Sequence, residues 1–337
     1  STLGIDLAGL EFDTLIAASL VSKDGNRINL KFLSEFYLNQ PMPTFKETVT
    51  DRGYKNFAQV PVADAIAYAC TDAHQTFLLK PILEKLLEEN NMTKLFYDLE
   101  MPTNQVLYLM EKEGIFVDTH ELKDLKIKVD QRLGVIKQEI MSLLPENLID
   151  INLNSPKQLE DLLFNKLQLI PVKKTTGKTG YSTDYEVLLE LAKVHPVPGL
   201  IIKYRELFKL KSTYVDAFFD YINPKTSKIH TTFSQTSVAT GRLASSDPNM
   251  QNIPVEQIYS DINIRSIFKA PENHIFISAD YSQIELRVLA HFSQDKNLLQ
   301  AFKENQDIHA ITAAGLFDVQ ADKITREQRE FGKRINF

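Results

Sequence analysis

Residues 274–292 read His274-Ile275-Phe276-Ile277-Ser278-Ala279-Asp280-Tyr281-Ser282-Gln283-Ile284-Glu285-Leu286-Arg287-Val288-Leu289-Ala290-His291-Phe292. An apolar run stands directly before an aspartate, and a helical pattern follows it. Ile275, Phe276 and Ile277 predict a buried strand; Ile284, Val288 and Leu289 predict a helix. A carboxylate at the end of a strand has fixed backbone behind it and open space in front. Magnesium takes oxygen donors and commonly uses one or two carboxylates together with substrate phosphates, so Asp280 is a candidate metal ligand. The competing reading makes Asp280 the cap of the following helix.

Two further stretches carry chemistry. In residues 325–337, Thr325 and Gln328 match a capping box, which predicts a helix start. Arg329, Lys333 and Phe337 then recur every four residues on one face, about 6 Å apart along the axis per step. Two cations followed by an aromatic suit a triphosphate tail, its sugar and its base. The alternative is a solvated amphipathic helix with Phe337 in a core. Residues 236–254 are dense in turn formers and donors. Gly241 lets the backbone before Arg242 approach a neighbour closely, and Arg242, Gln251 and Asn252 could reach minor-groove acceptors. A polar loop satisfying its own backbone is the competing reading.

The rest of the chain supplies context. Its 337 residues suggest two or three domains. The 38 basic and 44 acidic residues give a net charge of −6, which argues against a wholly basic coat but not against a local basic groove. Residues 1–100 hold 9 basic and 14 acidic residues, whereas residues 155–215 hold 10 basic and 6 acidic ones. This contrast suggests separate modules. A single cysteine, Cys70, excludes a disulfide framework and a multi-cysteine zinc site. No apolar run approaches the roughly 18 residues of a membrane span, and no signal-peptide layout opens the chain, so a soluble, intracellular protein is expected.

Helices are predicted over 62–90, with Ala65, Tyr68, Ala69, Phe77, Leu78, Ile82 and Leu86 as the apolar positions, and over 95–113, closed by Gly114. Another is predicted over 119–144. Ser155 and Pro156 predict a further helix start, and residues 22–26 and 173–183 read as turn and loop. Short β-type runs are expected from Lys228 onward.

ATGRLASSDPNMQNIP (239–254), SADYSQIELRVLAHFS (278–293) and the pattern R-x-x-x-K-x-x-x-F ending in INF resemble the palm and finger motifs of the bacterial DNA polymerase I family, family A. FDTLIAASL (12–20) and Tyr68-Ala69-Cys70-Thr71-Asp72 resemble the C-terminal half of its 3′→5′ exonuclease domain. NLNSPKQLEDLLF (152–164), KYRELFKLKSTYVDAF (203–218) and INPKTSKIHTTFSQT (222–236) resemble its thumb and the approach to its palm.

The resemblance implies an α/β multi-domain fold. Residues 1–94 would form the C-terminal part of an exonuclease-like, RNase H-like domain, and 95–225 a helical thumb and its base. The first part of a palm would follow at 226–290, and an incomplete fingers segment at 291–337. It implies template-directed deoxynucleotidyl transfer to a primer end, with primer–template DNA and deoxynucleoside triphosphates as partners and two magnesium ions as cofactor. Asp280 and the Tyr281 carbonyl would bind metal. Asp280, Glu285 and Lys333 would be catalytic, Glu285 by excluding the ribose 2′-hydroxyl. Gln283, Glu285, His309, Arg329, Lys333 and Phe337 would hold the nucleotide; on its own, His309 reads as a capping or core histidine.

For primer–template, the resemblance implies Arg242, Gln251 and Asn252. Ser155 and Lys157 lie at a predicted helix start, a natural phosphate site, and Lys173, Lys174, Arg205, Lys209 and Lys211 could track the duplex backbone. Tyr68 and Asp72 match an exonuclease motif; Asp13 matches a structural position there. The chain is expected to stop inside the fingers helix, so that a missing C-terminal segment or a second chain supplies the second metal aspartate. A cropped sequence and a gene split at this motif both fit that ending. A cytoplasmic, nucleoid-associated place is implied for a cellular protein, and the host cytoplasm for a phage one. The readings set against this are a single-subunit RNA polymerase, which Glu285 opposes, and a catalytically silent DNA-binding or assembly module.

Overall fold

The computed structural model describes residues 9–22, 27–145, 151–175, 180–255 and 259–336. Most of the predicted 22–26 turn, part of the 173–183 loop, and Phe337 lie outside the described residues. The chain divides into two compact units, residues 1–274 and 275–337.

Among its described residues, the first unit contains two hydrophobic cores. One gathers Ile16, Ala17 and Ala18 of helix Thr14–Val21, Leu33 of helix Leu30–Leu38, and Phe96 around the long helix Val62–Glu89. Asp13 starts the first of these helices, its carboxylate accepting from the amides of Leu15 (2.8 Å) and Ile16 (3.0 Å). The long helix buries Gln75, Leu79, Leu83 and Leu87, a strict four-residue stripe. That corrects the predicted face: Phe77 is 74% exposed, and Leu78, Ile82 and Leu86 flank the buried stripe. The helix is apolar on more than one side. Only the stripe turned toward the two short helices is covered, and periodicity alone does not say which that is.

The second core is built on helix Thr119–Ser142, capped by Asp118. The helix forms where it was expected, and its buried Leu122, Leu125, Val129, Leu133, Ile136 and Ile140 step by three and four residues along one face. Each such side chain, fully buried, contributes about 1.5–3 kcal/mol. They pack with Val197, Ile201, Leu207 and Leu210 of helix Pro196–Leu210. Three very short antiparallel strands lie beside them. β1 (Ile115–Phe116) and β2 (Ile222–Asn223) flank β3 (Lys228–Ile229), with Ile115 and Ile222 both in register with Ile229. Gly114 precedes β1 at φ +66°, and a Cβ there would stand 2.7 Å from the Ile229 carbonyl oxygen, so the turn and the close approach both require glycine. β4 (Thr232–Ser234) pairs with β5 (Ala244–Ser246).

The second unit is helical: Ile284–Ser293, Lys296–Lys303, Ile308–Phe317 and Arg326–Asn336, with a small core of Leu286, Ala301 and Ile308. The buried strand predicted over 275–277 is not formed. Ile275, Phe276 and Ile277 are 82%, 56% and 83% exposed. A strand gains burial and hydrogen bonds from neighbours on either side, and among the described residues none pairs with this one. The helix after it does form, but it buries Leu286 and Ala290 and leaves Ile284, Val288 and Leu289 exposed.

Candidate functional site

Two helices of the second unit place the predicted triphosphate side chains. Thr325 and Gln328 form the reciprocal capping box, at 3.2 Å and 3.0 Å, and start helix Arg326–Asn336. Arg329 and Lys333 follow one turn apart. This helix lies against Ile308–Phe317 at its buried Gly332, where a Cβ would come within 2.4 Å of the His309 carbonyl oxygen. The close approach brings Arg329 to Asp307, with Nε donating to Oδ2 at 2.5 Å. The other carboxylate oxygen of Asp307 caps helix Ile308–Phe317, accepting from the amides of His309 (3.0 Å) and Ala310 (3.2 Å). Burial alone would raise the Asp307 carboxyl, but the Arg329 hydrogen bond and charge outweigh it and hold it below the usual range.

His309 is buried, 4% exposed, and feels the charge of both Arg329 and Lys333. The Asn336 side-chain Nδ2 lies 3.0 Å from its Nδ1, and the Asn336 side-chain Oδ1 accepts from the Thr312 hydroxyl at 3.0 Å. With the amide donating, the ring is assigned as the neutral tautomer carrying its proton on Nε2. Desolvation first, then the positive charge of Arg329 and Lys333, pushes its pKa below 6.5. The arrangement is a neutral imidazole donor beside two cations, which suits a bound polyanion. On that helix face Arg329 is held by Asp307, whereas Lys333 is exposed. Asp307, Thr312, Gly332 and Asn336 were missed as positioning residues. Asp307 had a local signal, as an N-cap before an apolar run; its pairing with Arg329, 22 residues away, had none.

Asp280 and Tyr281 are exposed. Helix Ile284–Ser293 begins at Gln283, which is left-handed at φ 52° and provides no side-chain cap. Asp280 is thus not the cap of that helix. Its carboxylate and the Tyr281 carbonyl are hard oxygen donors of the kind magnesium takes. They amount to one carboxylate; among the described residues no group of three or more His, Cys, Asp or Glu side chains is placed to hold a metal. Glu285 lies in the first turn of that helix and is exposed.

In the first unit, the Arg242 loop is held from below. The buried Ser245 hydroxyl accepts from the Met250 amide at 2.9 Å. Tyr214 donates its hydroxyl to the Asn252 carbonyl, and Arg265 donates to the carbonyls of Ile253 (2.9 Å) and Pro254 (3.2 Å). The backbone N–H groups of Gln251 and Asn252 donate to the Asn249 side-chain oxygen, and both residues remain exposed, as does Arg242. Gly241 has φ +75° with open space around it, so it serves the turn and not a close contact.

Ser155 caps Pro156–Glu160, accepting from Gln158 at 3.4 Å. Lys157 borders a cleft of about 750 Å³ whose lining includes Glu160, Asp184 and Arg205. Arg205 is spent inside the protein, donating to the carbonyls of Leu153 (3.3 Å) and Thr183 (2.6 Å). Lys211 is likewise held, its ammonium paired with Asp216 and, at 3.3 Å, with Asp130. Neither geometry serves the expected role on a duplex backbone. Lys173 pairs with Asp184 at 3.4 Å, Lys174 forms a backbone bridge with Tyr181, and Lys209 is exposed. Tyr68 lies under the Lys31 ammonium (4.8 Å to the ring) and beside Phe57, and Asp72 follows it one turn later on the long helix. No helix among the described residues is long and apolar enough to cross a membrane.

A family model of DNA polymerase family A matches residues 119–337, and one of a 3′-5′ exonuclease matches residues 2–88. The chain belongs to DNA polymerase family A, with an exonuclease domain region preceding the polymerase region. It is 42% identical over 327 residues to DNA polymerase I of Borreliella burgdorferi, covering 97% of this chain and 35% of that protein. It is 38% identical over 338 residues to DNA polymerase I of Bacillus subtilis, covering 99% and 37%. The chain thus spans about a third of the length of these curated relatives. It is also similar to the POL domain of Pol1 from M. smegmatis, solved in complex with DNA primer-template and dNTP. That match has a TM-score of 0.81 and 32% identity, over 99% of this chain and 55% of the other.

Proposed function

We propose that this segment works in template-directed DNA synthesis, adding deoxynucleotides to a primer 3′ end. The observation that carries the reading is the packing of His309 against the helix of Arg329 and Lys333, in a chain of this family. A triphosphate would displace Asp307 from Arg329, or share it, and take Lys333 and the imidazole as further donors. Phe337 would pack on the base, and Glu285 and Gln283 would face the sugar.

Asp280 and the Tyr281 carbonyl would hold magnesium, which when bound supplies activation of the primer hydroxyl and neutralisation of phosphate charge. The second carboxylate of that platform would come from a C-terminal palm portion, in the same chain or a partner chain. Arg242, Gln251 and Asn252 would read the primer–template minor groove, and Ser155, Lys157 and Lys209 would contact its phosphates. Arg205 and Lys211 would instead stiffen the elements that carry them. We assign residues 1–94, 95–225, 226–290 and 291–337 to exonuclease-like, thumb, palm and fingers parts, with Tyr68 and Asp72 in the first, and place the protein in the cytoplasm.

The test is primer extension by a polymerase in which this segment is joined to a family A C-terminal portion. Charge-assisted hydrogen bonds are worth roughly 1.5–3 kcal/mol, so Lys333→Ala should lower kcat/KM for dNTP at least about tenfold. Primer–template affinity should stay unchanged. An unaltered kcat/KM would contradict the proposal.

A further inference from the structure

The turn that presents Asp280, Tyr281 and Glu285 has an unusual anchor. Gln283 is left-handed, at φ 52° and ψ 40°, and the helix it opens has no side-chain cap. A non-glycine residue in that conformation persists only where its surroundings over-determine it. Arg287 lies in the first turn, where a cation opposes the positive end of the helix macrodipole. Its placement therefore needs a local reason, and the side chain supplies one. The amide of Arg287 donates to the Gln283 carbonyl at 3.0 Å, and its guanidinium Nε donates back to the Ser282 carbonyl at 2.9 Å. The same guanidinium lies over the Phe302 ring, 4.5 Å from the centroid, on the neighbouring helix Lys296–Lys303. Phe302 in turn packs on the core of Leu286, Ala301 and Ile308.

We propose that Arg287 is a positioning residue that clamps the 282–283 turn to the second unit's core and so fixes how Asp280 and Glu285 are presented. It acts through the turn and is assigned no contact with substrate. A planar fork that hydrogen-bonds in its plane while stacking on an aromatic is a property of arginine that lysine lacks. Charge alone is therefore insufficient.

The proposal's catalytic consequence rests on the polymerase reading, so two measurements separate the claims. The first uses this chain alone. Amide hydrogen exchange over 287–290, whose first bond runs from the Arg287 amide to the Gln283 carbonyl, should speed up at least tenfold in Arg287→Ala and in Arg287→Lys, while exchange over 326–336 stays unchanged. Unchanged exchange over 287–290, or full protection in Arg287→Lys, overturns the clamp whatever the chain catalyses. The second uses the polymerase containing the segment. Arg287→Ala should lower kcat at least tenfold and narrow the preference for deoxy- over ribonucleotides, which Glu285 is proposed to set, and Arg287→Lys should recover neither fully. Faster exchange with kcat and preference both intact would show that the clamp holds the turn without serving selection, and would overturn that half of the proposal. A parent polymerase that extends no primer would count against the function reading alone.

Discussion

His309 concentrates the electrostatics of the site. Desolvation and two cations hold its folded pKa below 6.5. The unfolded chain therefore binds more protons just below that pH, and stability of this helix pair rises with pH through that window and is lost as pH falls through it. Asp307, also held low, contributes in the same direction at lower pH: its share is present above the ordinary carboxylate range and lost as pH falls through the folded value. An NMR titration of the His309 ring should give a midpoint below 6.5. Arg329→Ala should raise it, because it removes a repelling charge and leaves the Asp307 carboxylate unpaired. A wild-type midpoint at or above 6.5 would contradict this account.

Helix pairing depends on a single missing Cβ. In an open helix, Gly→Ala gains roughly 1 kcal/mol. At Gly332 the added carbon would sit 2.4 Å from the His309 carbonyl and 3.0 Å from the Ala313 amide nitrogen. Overpacking of this kind costs typically 1–3 kcal/mol. Gly332→Ala should therefore destabilise the helix pair in urea unfolding and weaken dNTP binding; a gain in stability would contradict the close approach. The elements themselves were largely legible in the sequence. The extent of Thr119–Ser142, the Ser155 and Thr325 caps and the Gly114 stop all follow from local spacing and capping chemistry. What misled was burial by distant partners. The covered face of Val62–Glu89 depends on two short helices some 40–60 residues earlier, and the exposed 275–277 run depends on whether strands pair with it. The cluster was half legible: the Arg329–Lys333 spacing predicted one face, while Asp307, Asn336 and Arg287 act through tertiary contacts that no spacing announces.

At the scale of the molecule, the net charge of −6 is a poor guide to partners. The acidic excess sits in the first hundred residues, in and beside the exonuclease region, while residues 155–215 carry the basic excess. Family membership and the His309 cluster together make nucleotidyl transfer the central claim, and Asp280 is its most exposed commitment. The direct measurement is single-turnover primer extension, with primer–template binding measured alongside, for Asp280→Ala in a polymerase containing this segment and a family A C-terminal portion. The account predicts near-normal DNA binding and loss of extension by at least about a thousandfold, consistent with losing a metal ligand on which charge stabilisation depends. Extension retained within a few-fold of the parent enzyme would contradict it.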